Sequence, residues 1–303
     1  MTAYAMGIDF GSTTAKVVIL DEEGSVVASA ISQKGAVSDE GVRVALAEAL
    51  GQAGIAQSAV GKVVSTGYGR RMLDIADRTI TEITCHARGA VSLVPDAQVV
   101  IDIGGQDSKV IAIDPNGLVA RFAMNDRCAA GTGKFLEVLA RAVNVDLEKM
   151  GGVALEAKET VSITSMCATF AETEVISLLA EGHSRPVVLA AVHQSIASRT
   201  VGLVARVGKK APVVMTGGVA QNVAAVHYLE KALDTTLVIP KGAQLAGALG
   251  AALFALDDLR AEVADKNKKL QALEDDVEHL LAEPQHCAPA CASKKAAPIV
   301  FKT

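Results

Sequence analysis

The chain lacks tryptophan, and only 3% of its 303 residues are aromatic. Basic residues are not in excess either, because 29 Lys and Arg stand against 34 Asp and Glu and give a net charge of −5. Proteins that bind nucleic acid usually combine a basic surface with aromatic side chains on which bases stack. The composition therefore argues against a nucleic-acid partner and predicts a core of Ala, Val, Leu and Ile.

Long apolar runs are also missing from the sequence. The longest, LAGALGAALFAL from Leu245, is shorter than the roughly 20 apolar residues that span a bilayer. The N-terminal stretch MTAYAMGIDFG has no basic region followed by an apolar run, which is the pattern of a signal peptide. We therefore expect a soluble cytoplasmic protein without a membrane partner.

Cysteine is scarce, with five residues: Cys85, Cys128, Cys167, Cys287 and Cys291. An odd number of cysteines without a secretory signal argues against a disulfide framework. Metal ligation, chemical reactivity and plain burial remain open for each of them.

An internal repeat is what the sequence does contain. IDFGSTTAKVVILDEEGSV (Ile8 to Val26) aligns without gaps with IDIGGQDSKVIAIDPNGLV (Ile101 to Val119), at a constant offset of 93 residues. Each copy predicts an apolar strand, a turn that holds Asp-x-Gly, a second strand from the Lys, and another turn. A repeat of this length predicts two domain-sized copies rather than a solenoid.

The first turn of each copy has the composition of a phosphate site, because glycine lets successive backbone N–H groups approach an anion. Asp9 and Asp102 precede these turns and are placed to hold Mg²⁺ or its water. Gln106 and Asp107 are placed to orient an attacking water. Two ordinary hairpins are the alternative. The predicted phosphate contacts are Gly11, Ser12, Thr13, Thr14, Ala15, Lys16, Gly104 and Gly105.

A third glycine motif, VVMTGGVAQN (Val213 to Asn222), predicts a strand that runs into Gly217-Gly218 and a helix from about Val219. Without side chains at two glycines, part of a nucleotide can contact the backbone at a helix N-terminus. Because this motif follows two predicted phosphate turns, we assign it to the adenosine. We predict that Gly217, Gly218 and Asn222 contact the adenosine, and that Gln244 reaches it from the start of a close-packing Gly/Ala helix.

Two phosphate hairpins followed by an adenosine motif resemble the fold of actin, sugar kinases and heat-shock ATPases. More narrowly, GIDFGSTTAK, IDIGGQDSKV, MNDRCAAGTGKF, FAETEVISLL and VVMTGGVAQN together resemble the ATP-dependent activators of 2-hydroxyacyl-CoA dehydratases and the related subunits of ATP-dependent benzoyl-CoA reductases. The resemblance runs from about residue 4 to residue 256. It implies an α/β fold with duplicated ribonuclease H-like (actin-like ATPase) domains and a nucleotide cleft between them. We place the domains at 1–96 and 97–256, with a C-terminal helical extension at 257–303.

The stretch NDRCAAGTGKFL ends like a P-loop, but Cys128 and Phe135 stand where that motif needs Gly and Ser or Thr. Cys128 and Cys167 each precede a predicted helix, whose N-terminal N–H groups and dipole would lower the pKa of a thiol and stabilise an anion. We therefore interpret CAAGTGK as a cluster ligand followed by a glycine-rich helix start, whose exposed backbone N–H groups face an iron–sulfur anion rather than a phosphate. The direction of the Lys134 side chain stays open.

The resemblance assigns Cys128 and Cys167 to a 4Fe–4S cluster. Such a cluster usually needs four Cys ligands, so a second subunit would supply the other two from across a two-fold axis. Cys287 and Cys291 form a C-x3-C pair that could instead complete four ligands within one chain, serve a separate metal or redox role, or simply belong to a Pro/Ala-rich tail without such a role. Two buried cysteines without a ligand role are a further alternative.

From Leu256 the apolar residues alternate at spacings of 3 and 4, with Lys266 in the one polar position and Pro284 beyond the last turn. The pattern predicts a long amphipathic helix that either folds back on the core or docks a partner subunit. Upstream, Cys85 is predicted to lie in a helix with His86 facing another direction, so no metal site is expected there. The apolar positions are Leu256, Leu259, Val263, Leu270, Leu273, Val277 and Leu280.

The resemblance implies that ATP hydrolysis drives transfer of a low-potential electron to an iron–sulfur acyl-CoA dehydratase or an aryl-CoA reductase core. Ferredoxin or flavodoxin would be the donor. A homodimer and a paralogous heterodimer both remain open, as do a dissociable activator and a resident subunit of a complex. Two other classes of the same fold are alternatives: a small-molecule kinase, which needs a carboxylate base, and an actin-like filament protein.

Overall fold

The computed structural model describes residues 3–33, 38–164 and 167–282. Its residues up to Leu259 form one compact unit. This unit contains two five-stranded sheets. In each sheet, the first three strands along the chain are antiparallel to their neighbours. The first sheet has the order β3-β2-β1-β4-β5 and consists of β1 (Tyr4–Phe10), β2 (Ala15–Leu20), β3 (Val26–Ser32), β4 (Val60–Thr66) and β5 (Arg78–Thr79). The second has the order β10-β9-β6-β7-β8 and consists of β6 (Val99–Ile103), β7 (Ser108–Ile113), β8 (Val119–Asn125), β9 (Val213–Thr216) and β10 (Leu237–Val238).

The sequence repeat corresponds to equivalent hairpins in the two sheets. Asp9 pairs with Lys16 across β1 and β2, and Asp102 pairs with Lys109 across β6 and β7. The fourth strand of each half, β4 or β9, is parallel to the first strand of that half. Every residue of β6 is buried, as expected for a strand covered by helices on both faces. The predicted duplication is therefore confirmed.

The strands are connected and covered by α-helices, and short 3-10 turns lie at Gln57–Ala59, Arg70–Met72, Gly218–Gln221 and Ala243–Leu245. The helices are α1 (Glu40–Ala53), α2 (Glu82–Leu93), α3 (Gly133–Ala142), α4 (Leu147–Leu155), α5 (Ala168–Ala180), α6 (Arg185–Val207), α7 (Val223–Leu233) and α8 (Ala246–Ala282). Helices α3 to α7 contribute to the core against the second sheet, and α1 contributes to the core against the first. The boundary that we predict at residues 96 and 97 falls in the segment between α2 and β6.

Helix α6 has the length and composition of a membrane-spanning helix, with a mean hydropathy of 1.4 in its most apolar window. However, 67% of that window is buried inside the protein. Val188, Leu189 and Val192 of α6 belong to the core of the second half. Burial in this core accounts for the apolar composition of the helix.

The beginning of α8 packs on the first sheet, although it follows the second half in the sequence. Ala248, Ala251 and Ala252 of α8 belong to one core cluster with Ala5 of β1 and Val18 of β2. Glycines allow this approach. A Cβ added at Gly7 would lie 2.1 Å from the carbonyl oxygen of Ala248, and one added at Gly89 would lie 1.9 Å from that of Ala246. The predicted close-packing Gly/Ala helix thus starts at Ala246, two residues after Gln244.

Replacing Gly250 by alanine should destabilise the fold by roughly 1–3 kcal/mol, the usual cost of overpacking a core. The added Cβ would lie 1.8 Å from the backbone carbonyl oxygen of Cys85, and neither helix backbone can move away cheaply. Thermal unfolding measures the change. The control is Gly202→Ala on α6, where the new Cβ meets nothing within 4 Å and alanine is the better helix former. Equal unfolding temperatures for both variants would contradict the contact between α2 and α8.

A second unit begins at Arg260 within α8. The structure describes its helix as far as Ala282, which confirms the predicted C-terminal helix. Three side chains of the predicted apolar stripe, Val263, Leu270 and Leu273, are exposed to 48%, 55% and 63%. The predicted stop at Pro284 and the pair Cys287 and Cys291 lie outside the described residues.

Candidate functional site

A cavity of about 1030 Å³ lies between the two sheets and contains most of the predicted site residues. Ala15 does not line it, because its side chain is fully buried in the core of the first half. Cys128 and Cys167 are not among the lining residues either. The predicted residues that line the cavity are Asp9, Gly11, Ser12, Thr13, Thr14, Lys16, Asp102, Gly104, Gly105, Gln106, Asp107, Gly217, Gly218, Asn222 and Gln244.

The two hairpin turns are built alike and lie side by side. The N–H of Gly11 donates to the carbonyl of Thr14 at 3.0 Å, and the N–H of Gly104 donates to that of Asp107 at 2.9 Å. A Cβ added at Gly105 would lie 2.1 Å from the hydroxyl oxygen of Thr13. Glycine is therefore required at 105 by the approach of the first turn, in addition to any approach of a phosphate.

Each turn carries a buried carboxylate that is paired with a lysine. Lys16 Nζ lies 2.8 Å from Asp9 Oδ2, and Lys109 Nζ lies 3.3 Å from Asp102 Oδ2 and 2.6 Å from Asp107 Oδ2. Burial alone would raise the pKa of Asp9, but Lys16, His86 and Lys109 together outweigh it and hold that pKa below its usual value. The pKa of Asp102 is lowered as well, so both predicted magnesium-positioning carboxylates are ionised in the cleft.

His86 is a site residue that the sequence analysis missed. It belongs to α2, lines the cavity, and places Nδ1 3.2 Å from Asp102 Oδ1, an ion-pair distance without the alignment of a hydrogen bond. Burial favours the neutral ring, but Asp102 outweighs burial and raises the pKa of His86. The hydroxyl of Thr216 donates to the same carboxylate at 2.8 Å. His86 does face away from Cys85, whose thiol is buried with its pKa raised to about 12.

Glu82, in the first turn of α2, is the other missed residue. Its carboxylate lies 3.8 Å from Lys109 Nζ and 3.8 Å from Arg70, and it lines the cavity. Burial raises the pKa of Glu82 above its usual value despite Lys109. The base of the cleft therefore holds alternating carboxylates and cations, which suits a metal–phosphate ligand.

The adenosine motif differs from its predicted form in where the helix starts. Gly218–Gln221 form a 3-10 turn, and α7 begins at Val223 with Asn222 as its N-cap, rather than at Val219. The Asn222 side chain accepts from two N–H groups of α7. Gln244 lines the cavity and accepts a 2.8 Å hydrogen bond from Gln221.

The interpretation of CAAGTGK as a helix start at Cys128 is wrong, because α3 begins five residues later at Gly133. Gly131 has a φ of +87°, which breaks the helix before that point. The first N–H groups of α3 are not bare. Gly133 donates to the carbonyl of Gly104 at 2.8 Å, and Lys134 donates to that of Gly105 at 2.7 Å. The N-terminus of α3 is thus hydrogen-bonded to the turn of the second hairpin, where we predict a phosphate contact.

Lys134 itself lines the cavity and lies 3.0 Å from Glu137 of the same helix. Its side chain therefore lies on the side of α3 that faces the cleft. Cys128 is half-buried in the loop between β8 and α3, and Asn125 donates to its carbonyl at 2.8 Å and to that of Ala130 at 3.3 Å. Asn125 ends β8 opposite Ser108 of β7, so this loop too is connected to the second phosphate hairpin.

Cys167 lies where the sequence predicts, as the N-cap of α5, and it is exposed. The backbone N–H groups of Thr169 and Phe170 lower the pKa of its thiol, as expected at a helix N-terminus. The apolar pattern of α5 is only partly buried. Val175 is in the core, whereas Phe170 and Ile176 are exposed to 68% and 51%.

The thiol donors of one chain fit a cluster that is shared between two chains better than a cluster that one chain binds alone. Within residues 3–33, 38–164 and 167–282 no group of three or more His, Cys, Asp or Glu side chains could hold a metal ion. Cys128 and Cys167 are two thiol donors, half of what a 4Fe–4S cluster usually needs. For Mg²⁺ the fit is direct, since that ion is commonly held by one or two carboxylates together with substrate phosphates.

Comparisons with known proteins agree with this geometry. The model of the BadF/BadG/BcrA/BcrD ATPase family matches residues 6–255. The 2-hydroxyisocaproyl-CoA dehydratase activator of Clostridioides difficile is 44% identical over 257 residues, covering 85% of this chain and 96% of that protein. One of the benzoyl-CoA reductase subunits of Thauera aromatica is 32% identical over 258 residues, covering 82% of this chain and 91% of that protein.

A solved structure shows the same fold. The activator of the 2-hydroxyisocaproyl-CoA dehydratase from Clostridium difficile, with bound ADPNP, aligns with a TM-score of 0.84 at 43% identity. The alignment covers 86% of this chain and 97% of that one. The chain therefore belongs to the BadF/BadG/BcrA/BcrD ATPase family and has the actin-like ATPase fold.

Proposed function

We propose that this chain hydrolyses ATP to drive the transfer of one low-potential electron to an iron–sulfur partner enzyme. Its family is one of ATPases, and its relatives include dehydratase activators. The observation that carries the electron-transfer part is the pair of hydrogen bonds from Gly133 and Lys134 to the second phosphate turn. Those bonds connect the nucleotide site to the segment that holds Cys128.

In this proposal the cleft binds Mg–ATP between the two turns. The N–H groups of Gly11, Gly104 and Gly105 and the hydroxyls of Ser12, Thr13 and Thr14 would contact the phosphates. Lys16 would add a positive charge. Asp9 and Asp102 would position Mg²⁺ and its waters, and Gln106 with Asp107 would orient the attacking water. Catalysis would come from positioning and charge stabilisation. Gly217, Gly218, Asn222 and Gln244 would contact the adenosine.

A 4Fe–4S cluster bound by Cys128 and Cys167 of two copies would supply one-electron chemistry. The lowered pKa of the Cys167 thiol supports ligation, because the thiolate is the form that binds iron. Exposed Phe170 and Ile176 on the same helix support contact with a second copy, since large apolar side chains are favoured in subunit interfaces. A homodimer and a heterodimer with a paralogue fit these residues equally.

Coupling would use the two connections between the second turn and the Cys128 loop. Loss of the γ-phosphate would shift the turn at Gly104 and Gly105, and α3 would move with it. Asn125 would carry the same shift through β7 and β8. Switches driven by phosphate loss use such ordered contacts, so the thiolates of Cys128 would be displaced relative to those of Cys167.

The partner would be an acyl-CoA dehydratase or an aryl-CoA reductase core with its own iron–sulfur centre, and ferredoxin or flavodoxin would be the donor. We propose the dehydratase activator type as the leading role. Relatives of that type reach 45% identity, against 32% for the relative from benzoyl-CoA reductase.

An electron-transfer assay tests the proposal. Protein purified without oxygen is reduced with dithionite and mixed with a 4Fe–4S 2-hydroxyacyl-CoA dehydratase, and the reduced-cluster signal is followed by electron paramagnetic resonance. We expect the signal to decay on addition of ATP and Mg²⁺ but to persist with a non-hydrolysable ATP analogue. Wild-type dimers that contain no iron when purified without oxygen, yet hydrolyse ATP, would contradict the proposal, and a phosphorylated small molecule as product would indicate a kinase.

A further inference from the structure

The stripe of apolar residues on α8 changes its surroundings along the helix. Leu256 and Leu259 are exposed to only 2% and 8%, and both belong to the core of the first unit. Beyond Arg260, Val263, Leu270 and Leu273 are exposed to 48%, 55% and 63%. An amphipathic helix is normally stabilised by packing of its apolar face. This part of α8 therefore presents a face that a partner would cover.

The C-terminal extension beyond Leu259 lies outside the part of the chain that the family model matches. The family model ends at residue 255, and the alignment with the Clostridioides difficile activator covers 96% of that protein but 85% of this chain. Whatever covers the exposed face of α8 is therefore a feature of this chain and not of the common ATPase.

The spacing of the stripe is that of a coiled coil. Apolar residues occupy alternate steps of three and four from Val263 through Leu273, and the sequence continues the pattern at Val277 and Leu280. Lys266 is the one polar residue in the series. In a parallel pair of identical helices it would face Lys266 of the second copy across the seam, and two like charges would meet in the core.

Basic and acidic residues predominate in different parts of the same helix. Residues 260–269 hold Arg260, Lys266, Lys268 and Lys269 against two acidic residues, whereas residues 270–282 hold four acidic residues and no Lys or Arg. Lys268, Lys269, Glu274 and Asp275 are all exposed. An antiparallel pair brings the basic part of each helix beside the acidic part of the other, and such opposite charges at the flanks set partner choice and orientation.

We propose that the extension helix pairs antiparallel with the same helix of a second copy. In the register that places the apolar positions of the sequence opposite one another, position 270 lies opposite position 273 of the second copy, and position 263 lies opposite position 280. Position 266 then lies opposite Val277 rather than another lysine. The seam covers under three heptads, and a coiled coil of that length is marginal alone. The pairing therefore rests on the proposed function, in which a shared cluster also joins the two copies.

Disulfide trapping in the full-length chain tests the pairing. Two tagged chains are co-expressed, one with Val263→Cys and one with Leu280→Cys, both also carrying Cys287→Ser and Cys291→Ser to lower the background. Mild oxidation should link the two tags into one product. Chains with Val263→Cys alone should not link to one another, and chains without either new cysteine set the baseline. Disulfides between two Val263→Cys chains would show parallel pairing. A mixed-disulfide yield no higher than the baseline would show that something other than this helix covers the apolar face. Either result overturns the proposal.

Reversing charges beside the seam provides a second test of the pairing, measured by the yield of the mixed disulfide. Positions 269 and 276 of opposite copies flank the seam on the same side. Lys269→Glu should lower the yield of the mixed disulfide, and addition of Asp276→Lys to the same chains should restore it. A yield that stays low in the double variant would overturn the antiparallel arrangement, because neither a parallel pair nor a different protein is repaired by that second change.

Discussion

Cys128→Ala should yield protein that has lost its iron but still hydrolyses ATP. Wild-type dimers purified without oxygen should hold about four irons, and the variant should hold less than about one, because two thiolates cannot hold a cluster that needs four. ATP hydrolysis should continue at a similar rate, since Cys128 does not line the cleft. Iron analysis and phosphate release on the same samples provide the measurement.

The matched control for this result is the double variant Cys287→Ala and Cys291→Ala. It should keep its iron, because in the proposed arrangement Cys128 and Cys167 of two copies are the ligands. Iron that persists in Cys128→Ala, or that disappears in the control, would show that the cluster is bound differently. Loss of iron from the control in particular would favour four ligands within one chain.

Asp102→Asn should lower kcat for ATP hydrolysis by about 100- to 1000-fold, the usual loss when a preorganised electrostatic group is removed. Asp102 is 1% exposed and is surrounded by Lys109, His86 and Thr216. The amide keeps the shape but removes the charge that would position Mg²⁺. Initial rates at saturating ATP, repeated across a magnesium titration, measure the effect.

Two further variants separate this chemistry from general damage. Asp9→Asn should have a loss of the same order, because Asp9 occupies the equivalent position in the first copy of the repeat. Asp257→Asn should leave kcat unchanged, since that carboxylate is 48% exposed and pairs with Arg88 outside the cleft. Full activity in Asp102→Asn would contradict the role that we propose for this carboxylate.

The same variant should alter the pH dependence of stability. Burial raises the pKa of Asp102, but His86 and Lys109 outweigh it and hold that pKa well below its usual value. A carboxyl with a lowered folded pKa stabilises the protein above its unfolded pKa of about 4, and this contribution is lost as the pH falls below that value. The stability deficit of Asp102→Asn should therefore be large at neutral pH and shrink in acid.

The repeat explains why so much of the cleft could be predicted from the sequence. An Asp, a Gly and a Lys at one offset specify two equivalent turns, and turns of this type depend on local residues more than on distant ones. Glu82 and His86 could not be found in this way. They come from α2, which has no counterpart in the repeat, and only the packing of α2 beside the second sheet brings them to Asp102 and Lys109.

The start of α3 was misplaced for a different reason. Ala129 and Ala130 have high helix propensity, so a helix from Cys128 is the natural prediction. The left-handed Gly131 and the hydrogen bonds from Gly133 and Lys134 to the second turn override it. Propensity is a local quantity, whereas those bonds join segments that are almost 30 residues apart, and no periodicity reports them.

The return of α8 to the first sheet means that the chain passes between the two halves twice. One passage runs from β5 through α2 to β6, and the other lies between β10 and α8. Two covalent connections define a line between the halves. Rotation of one half against the other about this line strains the backbone little, whereas sliding or separation of the halves strains both connections. Gly242 lies in the second crossing with a φ of +87° and open space around it. We therefore expect exchange of the bound nucleotide to turn the two halves about this line rather than to separate them.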